Sequence, residues 1–304
     1  MGNDGLLPSY VALLEQEELE RRAQEARSRY SCCTVCPRQC KANRSGGEKG
    51  VCKVLDCPIV SSAFAHFGEE SVLVGRHGSG TIFFSECNLR CVFCQNFEIS
   101  HGGEGREVSD EVLAEIMVKL QDEGCHNINL VTPSHVVPNI LGALSIARRQ
   151  GLRLPIVYNT SAYDSLDTLR LLDRVVDIYM PDFKFASREL SKRFLKTEDY
   201  PDVAFQAIEE MHRQVGDLKI SEDGIAQKGV LVRHLVMPSH LDDTKEVLKL
   251  IASISIHTYI NIMAQFRPLG YASRYPEINR RITREEILLA YEEARRLGLY
   301  RFAD

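Results

Sequence analysis

The sequence predicts an α/β protein, a partial (β/α)6 TIM-like barrel with a small N-terminal cysteine-rich extension. Two observations predict this fold. From about residue 61 onward, short runs rich in β-branched and aromatic residues alternate with amphipathic helical stretches, which is typical of βα units and a parallel sheet. Before them, the segment from Cys32 to Cys57 is rich in cysteine and lacks apolar periodicity. We therefore predict an N-terminal helix and cysteine-rich module over residues 1–60 and a barrel domain over residues 61–304.

The alternating pattern places six strands in the barrel domain. The predicted strands are Thr81–Ser85, Asn127–Thr132, Pro155–Thr160, Asp177–Lys184, Gly229–Met237 and Thr258–Gln265. Six βα units are too few to close an eight-stranded barrel, so we expect an open sheet that would admit a large substrate. In barrels of this type the chemistry lies at the carboxyl ends of the strands, which makes the residues there candidates for the site.

Helical patterns fill the connections between these strands. Ser109 is expected to cap one helix, and Thr283 with Glu286 forms a capping box before the last one. Further predicted helices are Asn139–Arg149, Leu166–Arg174, Asp202–Val215 and Asp243–Ile254. Near the N-terminus, Pro8–Tyr30 is predicted to be one solvated helix, because glutamates and arginines recur four residues apart.

Bulk properties favour a cytoplasmic protein. No apolar run reaches the roughly 18 residues needed to cross a membrane, and Met1–Gly5 lacks the basic start of a secretion signal. Ten cysteines in such a chain favour metal or cluster ligation over disulfides. A net charge of -5 gives no electrostatic basis for binding nucleic acid.

The most informative motif is a cysteine triplet, Cys87, Cys91 and Cys94, with the spacing C-x3-C-x2-C directly after the first predicted strand. A four-iron, four-sulfur cluster normally takes four thiolates, so a site built from three leaves one iron able to bind a further ligand. A zinc site or a chance spacing is the alternative. The position after a strand favours the cluster.

The segment from Phe84 to Asn96 resembles the radical S-adenosylmethionine (SAM) enzymes. In that family the open iron is chelated by the amino and carboxylate groups of SAM, and the aromatic residue before the third cysteine, here Phe93, packs near the adenine. The resemblance implies a [4Fe-4S] cluster, reductive cleavage of SAM to a 5'-deoxyadenosyl radical, and removal of a hydrogen atom from a substrate. It also implies an electron donor such as flavodoxin or ferredoxin.

The third and fourth predicted strands resemble the pyruvate formate-lyase-activating branch of that family. There, a monovalent cation beside the cofactor carboxylate is surrounded by residues matching Thr160, Asp182 and Lys184 and by the main-chain carbonyl of the residue matching Met180. Asn159 replaces an aspartate of that pattern, which weakens the attraction for a cation. A plain salt bridge between Asp182 and Lys184 is the structural alternative.

Two further strand ends contribute candidates. On the fifth strand, Arg233 is expected to contact the substrate backbone or the cofactor carboxylate, which its planar guanidinium suits. The second strand departs from the Gly-Gly-Glu motif of many family members and ends in Thr132-Pro133-Ser134. Thr132 and Ser134 are expected to accept hydrogen bonds from the cofactor ammonium, with a Pro-containing turn as the alternative.

The N-terminal module carries a second cysteine set, Cys33, Cys36, Cys40 and Cys52. A similar cysteine run precedes the barrel in the same branch of the family. Fourfold thiolate ligation suits either structural zinc or an auxiliary iron-sulfur cluster. The cluster is favoured because the motif belongs to a predicted electron-transfer enzyme.

Together these features predict a radical SAM oxidoreductase of the glycyl-radical-enzyme-activating type, with a protein glycine as the hydrogen donor. A radical SAM enzyme that modifies a peptide or a small molecule would use the same cofactor site. The alternative from another class is a non-catalytic iron-sulfur or zinc electron carrier.

Overall fold

The computed structural model describes residues 7–303. Residues 1–6 of the predicted N-terminal module and Asp304 of the predicted barrel domain lie outside the described part. The described strands are β1 Ile59–His66, β2 Ser79–Phe84, β3 Arg106–Glu107, β4 Ile128–Val131, β5 Ile156–Thr160, β6 Ile178–Pro181, β7 Lys219–Ile220, β8 Ala226–Leu235, β9 Tyr259–Met263 and β10 Arg301–Phe302. The described α-helices are α1 Ser9–Ala12, α2 Gln16–Ser28, α3 Ser71–Val74, α4 Phe97–Gly102, α5 Asp110–Asp122, α6 Val137–Arg149, α7 Leu166–Leu171, α8 Arg188–Leu195, α9 Tyr200–Val215, α10 Leu241–Ile254 and α11 Arg284–Arg296.

These strands form one mostly parallel sheet that does not close into a barrel. Its order is β10-β9-β8-β6-β5-β4-β2-β1-β3, with β7 paired to β8. The pairs from β2 through β4, β5, β6, β8, β9 and β10 are parallel. The six predicted strands correspond to β2, β4, β5, β6, β8 and β9, which confirms the α/β class and the open barrel.

Two apolar layers hold the sheet between them. The outer layer packs the strands against the long helices, with side chains such as Leu130, Ile156 and Tyr179 fully buried. The inner layer joins β5, β6, β8 and β9 to Val72 and Leu73 of α3. Because α3 fills part of the interior, the remaining space lies toward the carboxyl ends of the strands.

The helix caps follow the sequence signals. The Ser109 hydroxyl accepts a hydrogen bond from the Val112 N–H at 3.3 Å. Thr283 and Glu286 form the predicted capping box at the start of α11. None of the helices within residues 7–303 has the length and apolar character needed to span a bilayer.

The N-terminal helix differs from its prediction. It is two helices, α1 and α2, and α2 is not solvated all round, because Leu19, Ala23 and Ala26 are buried along one face. Residues at this i, i+4, i+7 spacing form a stripe that a helix buries against a neighbour, and here the neighbour is α6. Arg21 pairs with Glu18 at 2.9 Å.

The edge of the sheet also holds a feature that the sequence prediction omitted. Strand β1 runs antiparallel to β2 and is irregular between Val60 and Ser62. The predicted domain boundary at residue 60 falls inside this strand. The division into an N-terminal module and a barrel stays a prediction.

Candidate active site

A cavity of about 240 Å³ opens at the carboxyl ends of the parallel strands. From the loop after β2 it is lined by Cys87, Cys91, Phe93 and Cys94. From the ends of β4, β5, β6 and β8 it is lined by Thr132, Asn159, Thr160, Asp182, Lys184 and Arg233. The fold thus brings most of the predicted site residues to one place.

The cysteine loop is held in a strained conformation. Glu86 and Arg90 have φ angles of 63° and 66°, in the left-handed region that residues with a side chain rarely adopt. Their side chains form an ion pair at 2.7 Å across the loop. Backbone strain of this kind clusters at functional sites, where surrounding contacts maintain it.

The three thiols differ in their surroundings. Burial raises the pKa of the Cys87 and Cys91 thiols, and the ammonium of Lys184 partly opposes this at Cys91. The Ser100 hydroxyl on α4 lies 3.1 Å from Cys94 Sγ. Because thiolates are the metal-binding form, ligation at these buried cysteines must drive their deprotonation.

A charged network crosses the ends of β5, β6 and β8. Arg233 donates hydrogen bonds to Asp182 at 2.7 Å, to Asn159 at 2.8 Å and to Glu69 at 3.3 Å. Lys184 binds the other oxygen of Asp182 at 2.7 Å. Of the oxygens that were predicted to surround a monovalent cation, those of Asp182 and Asn159 therefore have cationic partners from the chain itself.

The pKa values in this network follow from the pairing. Burial alone would raise the pKa of Asp182, but Arg233 and Lys184 outweigh burial and hold that pKa at about 2. Burial would likewise lower the pKa of Lys184, and the Asp182 carboxylate reverses the effect. At neutral pH the cavity wall therefore carries both signs of charge, as a zwitterionic ligand requires.

A hydroxyl network supports the end of β5. Ser134 Oγ lies 3.0 Å from Thr160 Oγ1, and both hydroxyls of Thr160 and Tyr158 donate to the Asp164 carboxylate, at 2.5 and 2.8 Å. Burial raises the pKa of Asp164, and these hydrogen bonds oppose the rise. Thr132, on the cavity wall, has a φ angle of 62°.

Two predicted cofactor-binding residues do not line the cavity. Ser134 is buried behind Thr160. The side chain of Met180 is fully buried in the inner apolar layer with Val157 and Leu231. Phe93 does line the cavity, and its ring contacts those of Phe185 and Phe266 at centroid distances of 6.0 and 6.1 Å.

Sequence reasoning missed two supporting carboxylates. Glu69 lies in the loop between β1 and α3, and nothing in its local pattern marks it as a partner of Arg233. Asp164 follows Thr160 by four residues, so a hydroxyl followed by an acid in a tight loop was the available signal. His234, next to Arg233 on β8, faces the other way and hydrogen-bonds with the Phe183 carbonyl and the Thr244 hydroxyl.

The N-terminal cysteine module packs directly on the cysteine loop. Arg38 donates hydrogen bonds to the carbonyls of Asn88 at 2.8 Å and Leu89 at 3.2 Å. Its guanidinium also lies 5.3 Å from the ring centroid of Tyr163, whose carbonyl accepts a hydrogen bond from the Asn88 side chain. The Asn88 side chain is also a hydrogen-bond partner of the Cys36 thiol. Asn88, which directly follows Cys87 in the sequence, therefore lies between the two cysteine sets.

The donor set of the cavity fits a cluster with an open iron. Three thiols line the cavity, and within the described residues no fourth cysteine does. A structural zinc site is closed by four protein ligands, whereas three thiolates leave one iron of a four-iron cluster without a protein ligand, so the triplet suits such a cluster better than a structural zinc.

Comparison with known proteins gives a family match. A model of the Radical SAM superfamily matches residues 81–251, which include the cysteine triplet and most of the strands that line the cavity. Enzymes of that superfamily use a [4Fe-4S] cluster and SAM. An uncharacterized protein of Methanocaldococcus jannaschii is 34% identical over 289 residues, covering 92% of this chain and 79% of the relative.

A comparison with solved structures gave matches that include the following two. Streptococcus suis SuiB, bound to precursor peptide SuiA, has a TM-score of 0.51 at 11% identity, covering 71% of this chain and 46% of SuiB. Native anSMEcpe with bound AdoMet has a TM-score of 0.43 at 12% identity, covering 59% of this chain and 48% of that one. This chain thus spans about half the length of each. At such identity the likeness to SuiB concerns the fold alone.

Proposed function

Since the chain belongs to the radical SAM superfamily, we propose that it reductively cleaves SAM and removes a hydrogen atom from a protein glycine, as a glycyl-radical-enzyme activase does. The observation that carries this proposal is the single cavity in which three thiols meet the charged ends of β6 and β8. When bound there, the cluster and SAM supply one-electron reduction and a 5'-deoxyadenosyl radical.

The chain's own residues position the cofactor. Cys87, Cys91 and Cys94, which line the cavity, would hold three irons of the cluster and leave the fourth without a protein ligand. Lys184 and Arg233 offer positive charge for a carboxylate, while Asp182 and Glu69 offer negative charge for an ammonium. Fixing both groups of an amino acid orients the sulfonium without acid-base chemistry.

Other residues would protect the reaction. Phe83, Phe84 and Phe93 line the cavity beside the cysteines, and an apolar wall reduces access of water to a radical. Thr132 and Thr160 supply oxygen atoms at the same wall. The open edge of the sheet leaves room for a substrate larger than a metabolite, which supports a protein or peptide as the hydrogen donor.

The first experiment tests SAM cleavage. Anaerobically reconstituted protein is mixed with dithionite and SAM, and 5'-deoxyadenosine is measured by chromatography. We expect it from the wild type and from Cys125→Ala, a matched loss of a thiol buried far from the cavity wall, but not from Cys91→Ala. Intact clusters with no cleavage in the wild type would instead support an electron carrier.

The second experiment tests the substrate. A glycyl-radical enzyme is incubated with the reconstituted protein and SAM, and the electron paramagnetic resonance doublet of a glycyl radical is sought. Its appearance supports the activase. Cleavage of SAM without a doublet would contradict the glycine and favour a peptide, as in the SuiB structure solved with its precursor peptide, or a small molecule.

A further inference from the structure

We propose that Cys33, Cys36, Cys40 and Cys52 hold a second iron-sulfur cluster, in direct contact with the loop that carries the first. The four thiols are brought together by a compact turn. Cys33 N–H donates to the Ala42 carbonyl, and Lys41 N–H donates to the Cys33 carbonyl, each at 3.0 Å. Electrostatic interactions connect Cys52 with Cys33, Cys36 and Cys40.

Three of the four thiols are buried. Cys33, Cys36 and Cys52 are 3%, 6% and 5% exposed. Cys33 and Cys40 pack in a small apolar cluster with Tyr30 and Val35, whereas Cys52 packs at the edge of the main core. A metal centre closed by four protein ligands would add stability to an irregular segment whose own apolar cluster is this small.

A buried cation provides the independent observation. Arg44 is 1% exposed and lies 3.9 Å from the ring centroid of Tyr30. Its guanidinium donates to the carbonyls of Leu55 and His135, both at 2.8 Å, and contacts Cys33 Sγ at 3.8 Å. Among the described residues it has no carboxylate partner. An unpaired buried charge is costly, and a cluster bound by four thiolates would supply the missing negative charge.

Four thiolates suit either zinc or an iron-sulfur cluster. The neighbouring set at Cys87, Cys91 and Cys94 belongs to a family that binds a [4Fe-4S] cluster, and a cluster reconstituted there would leave the N-terminal set exposed to the same iron and sulfide. We therefore assign the N-terminal set the same kind of centre.

Metal analysis tests this inference independently of SAM cleavage and substrate. The variant with Cys87, Cys91 and Cys94 all replaced by alanine lacks the first site. After anaerobic reconstitution it should retain about four irons and four sulfides per chain, with a signal in electron paramagnetic resonance after reduction. Adding Cys36→Ser should remove both, whereas adding Cys57→Ser, a thiol outside the set, should remove neither.

The contrary results are equally distinct. About one zinc per chain without iron, or no metal in a triple variant whose circular dichroism matches the wild type, would overturn the assignment. Arg44→Met in the triple variant should shift the reduction potential to a more negative value, because a nearby positive charge favours the reduced form. An unchanged potential would refute the role of Arg44.

Discussion

The two cysteine sets differ in the number of their thiols and in what surrounds them. The triplet Cys87, Cys91 and Cys94 faces a cavity lined by charged strand ends. In the N-terminal quartet, Cys33 and Cys40 pack with Tyr30 and Val35, and Cys33 Sγ contacts the guanidinium of Arg44. Metal centres that bind substrates keep a coordination position open, whereas structural centres are closed by protein ligands. Under our proposals, the same side chain would build an open centre in one segment and a closed one in its neighbour.

The largest expected difference is in SAM cleavage. Cys91→Ala should lower 5'-deoxyadenosine formation by at least about 1,000-fold, because the reaction then lacks its cluster and its cofactor site. Cys36→Ala, a loss of one thiol from the quartet, should reduce the rate with dithionite by less than about tenfold. Both rates are measured under anaerobic conditions.

Equal loss of SAM cleavage in Cys91→Ala and Cys36→Ala would contradict this difference between the two cysteine sets. It would mean that the quartet is part of the reaction centre and not a neighbouring site. Iron content of each variant, measured in the same samples, distinguishes loss of a cluster from loss of turnover by an intact one.

The second prediction concerns the charges that only the open centre faces. Asp182→Asn leaves Lys184 and Arg233, whose side chains are only 14% and 16% exposed, without their shared carboxylate. Removing one member of a buried ion-pair network costs about 3 to 5 kcal/mol, so the free energy of unfolding in urea should fall by that amount. Binding of SAM should weaken in parallel, as measured by calorimetry.

A surface pair supplies the control. Glu246 and Lys249 form an exposed i, i+3 pair at 3.4 Å, and Glu246→Gln should change the free energy of unfolding by less than about 1 kcal/mol. Similar losses in Asp182→Asn and Glu246→Gln would show that the network at the cavity is an ordinary surface feature.

The fold was predictable from the sequence where the pattern was strong. The runs that became β2, β4, β5, β6, β8 and β9 are β-branched, apolar and flanked by helical periodicity, so local physics determines them. Strand β1 was not predicted because Ser61-Ser62-Ala63 has little strand preference. Its structure depends on antiparallel pairing with β2, which no local pattern encodes.

The candidate site was predictable in its parts but not in its pairings. The spacing of the cysteines and the position of Asp182, Lys184 and Arg233 at strand ends indicated a shared site. The contact between Arg233 and Glu69 joins residues 164 positions apart. Such contacts depend on the tertiary fold, as does the packing of Arg38 against the loop at Asn88.

The third prediction concerns the N-terminal cysteine set, which we propose is closed by four thiolates. A Cβ added at Gly50 would lie 2.4 Å from Cys40 Sγ, so Gly50→Ala should displace that thiol. We expect loss of metal from the quartet and a fall of about 2 kcal/mol in the free energy of unfolding, with SAM cleavage retained. Gly102→Ala is the matched control, since a Cβ there meets no atom within 4 Å. Full metal content in Gly50→Ala would argue against Cys40 as a ligand.

The smallest effect concerns His135, which lies between the two sets. Its carbonyl accepts a hydrogen bond from Arg44, and its Nε2 lies 3.1 Å from the Ser85 carbonyl before the cysteine loop. Burial, with a contribution from Arg44, lowers the pKa of His135 to about 3. The folded protein therefore keeps this ring neutral, while the unfolded chain binds a proton below about pH 6.5.

Stability linked to a depressed histidine pKa is present above the unfolded pKa and is lost as pH falls toward the folded one. Between about pH 7.5 and pH 5.5, His135 should thus remove about 1.4 kcal/mol from the free energy of unfolding. His135→Gln should flatten the profile from urea titrations by that amount, whereas His257→Gln, at an exposed position, should leave its slope unchanged. Parallel profiles for the wild type and His135→Gln would show that this ring takes up a proton without unfolding. The contact between the two cysteine sets would then be looser than the buried hydrogen bonds of His135 imply.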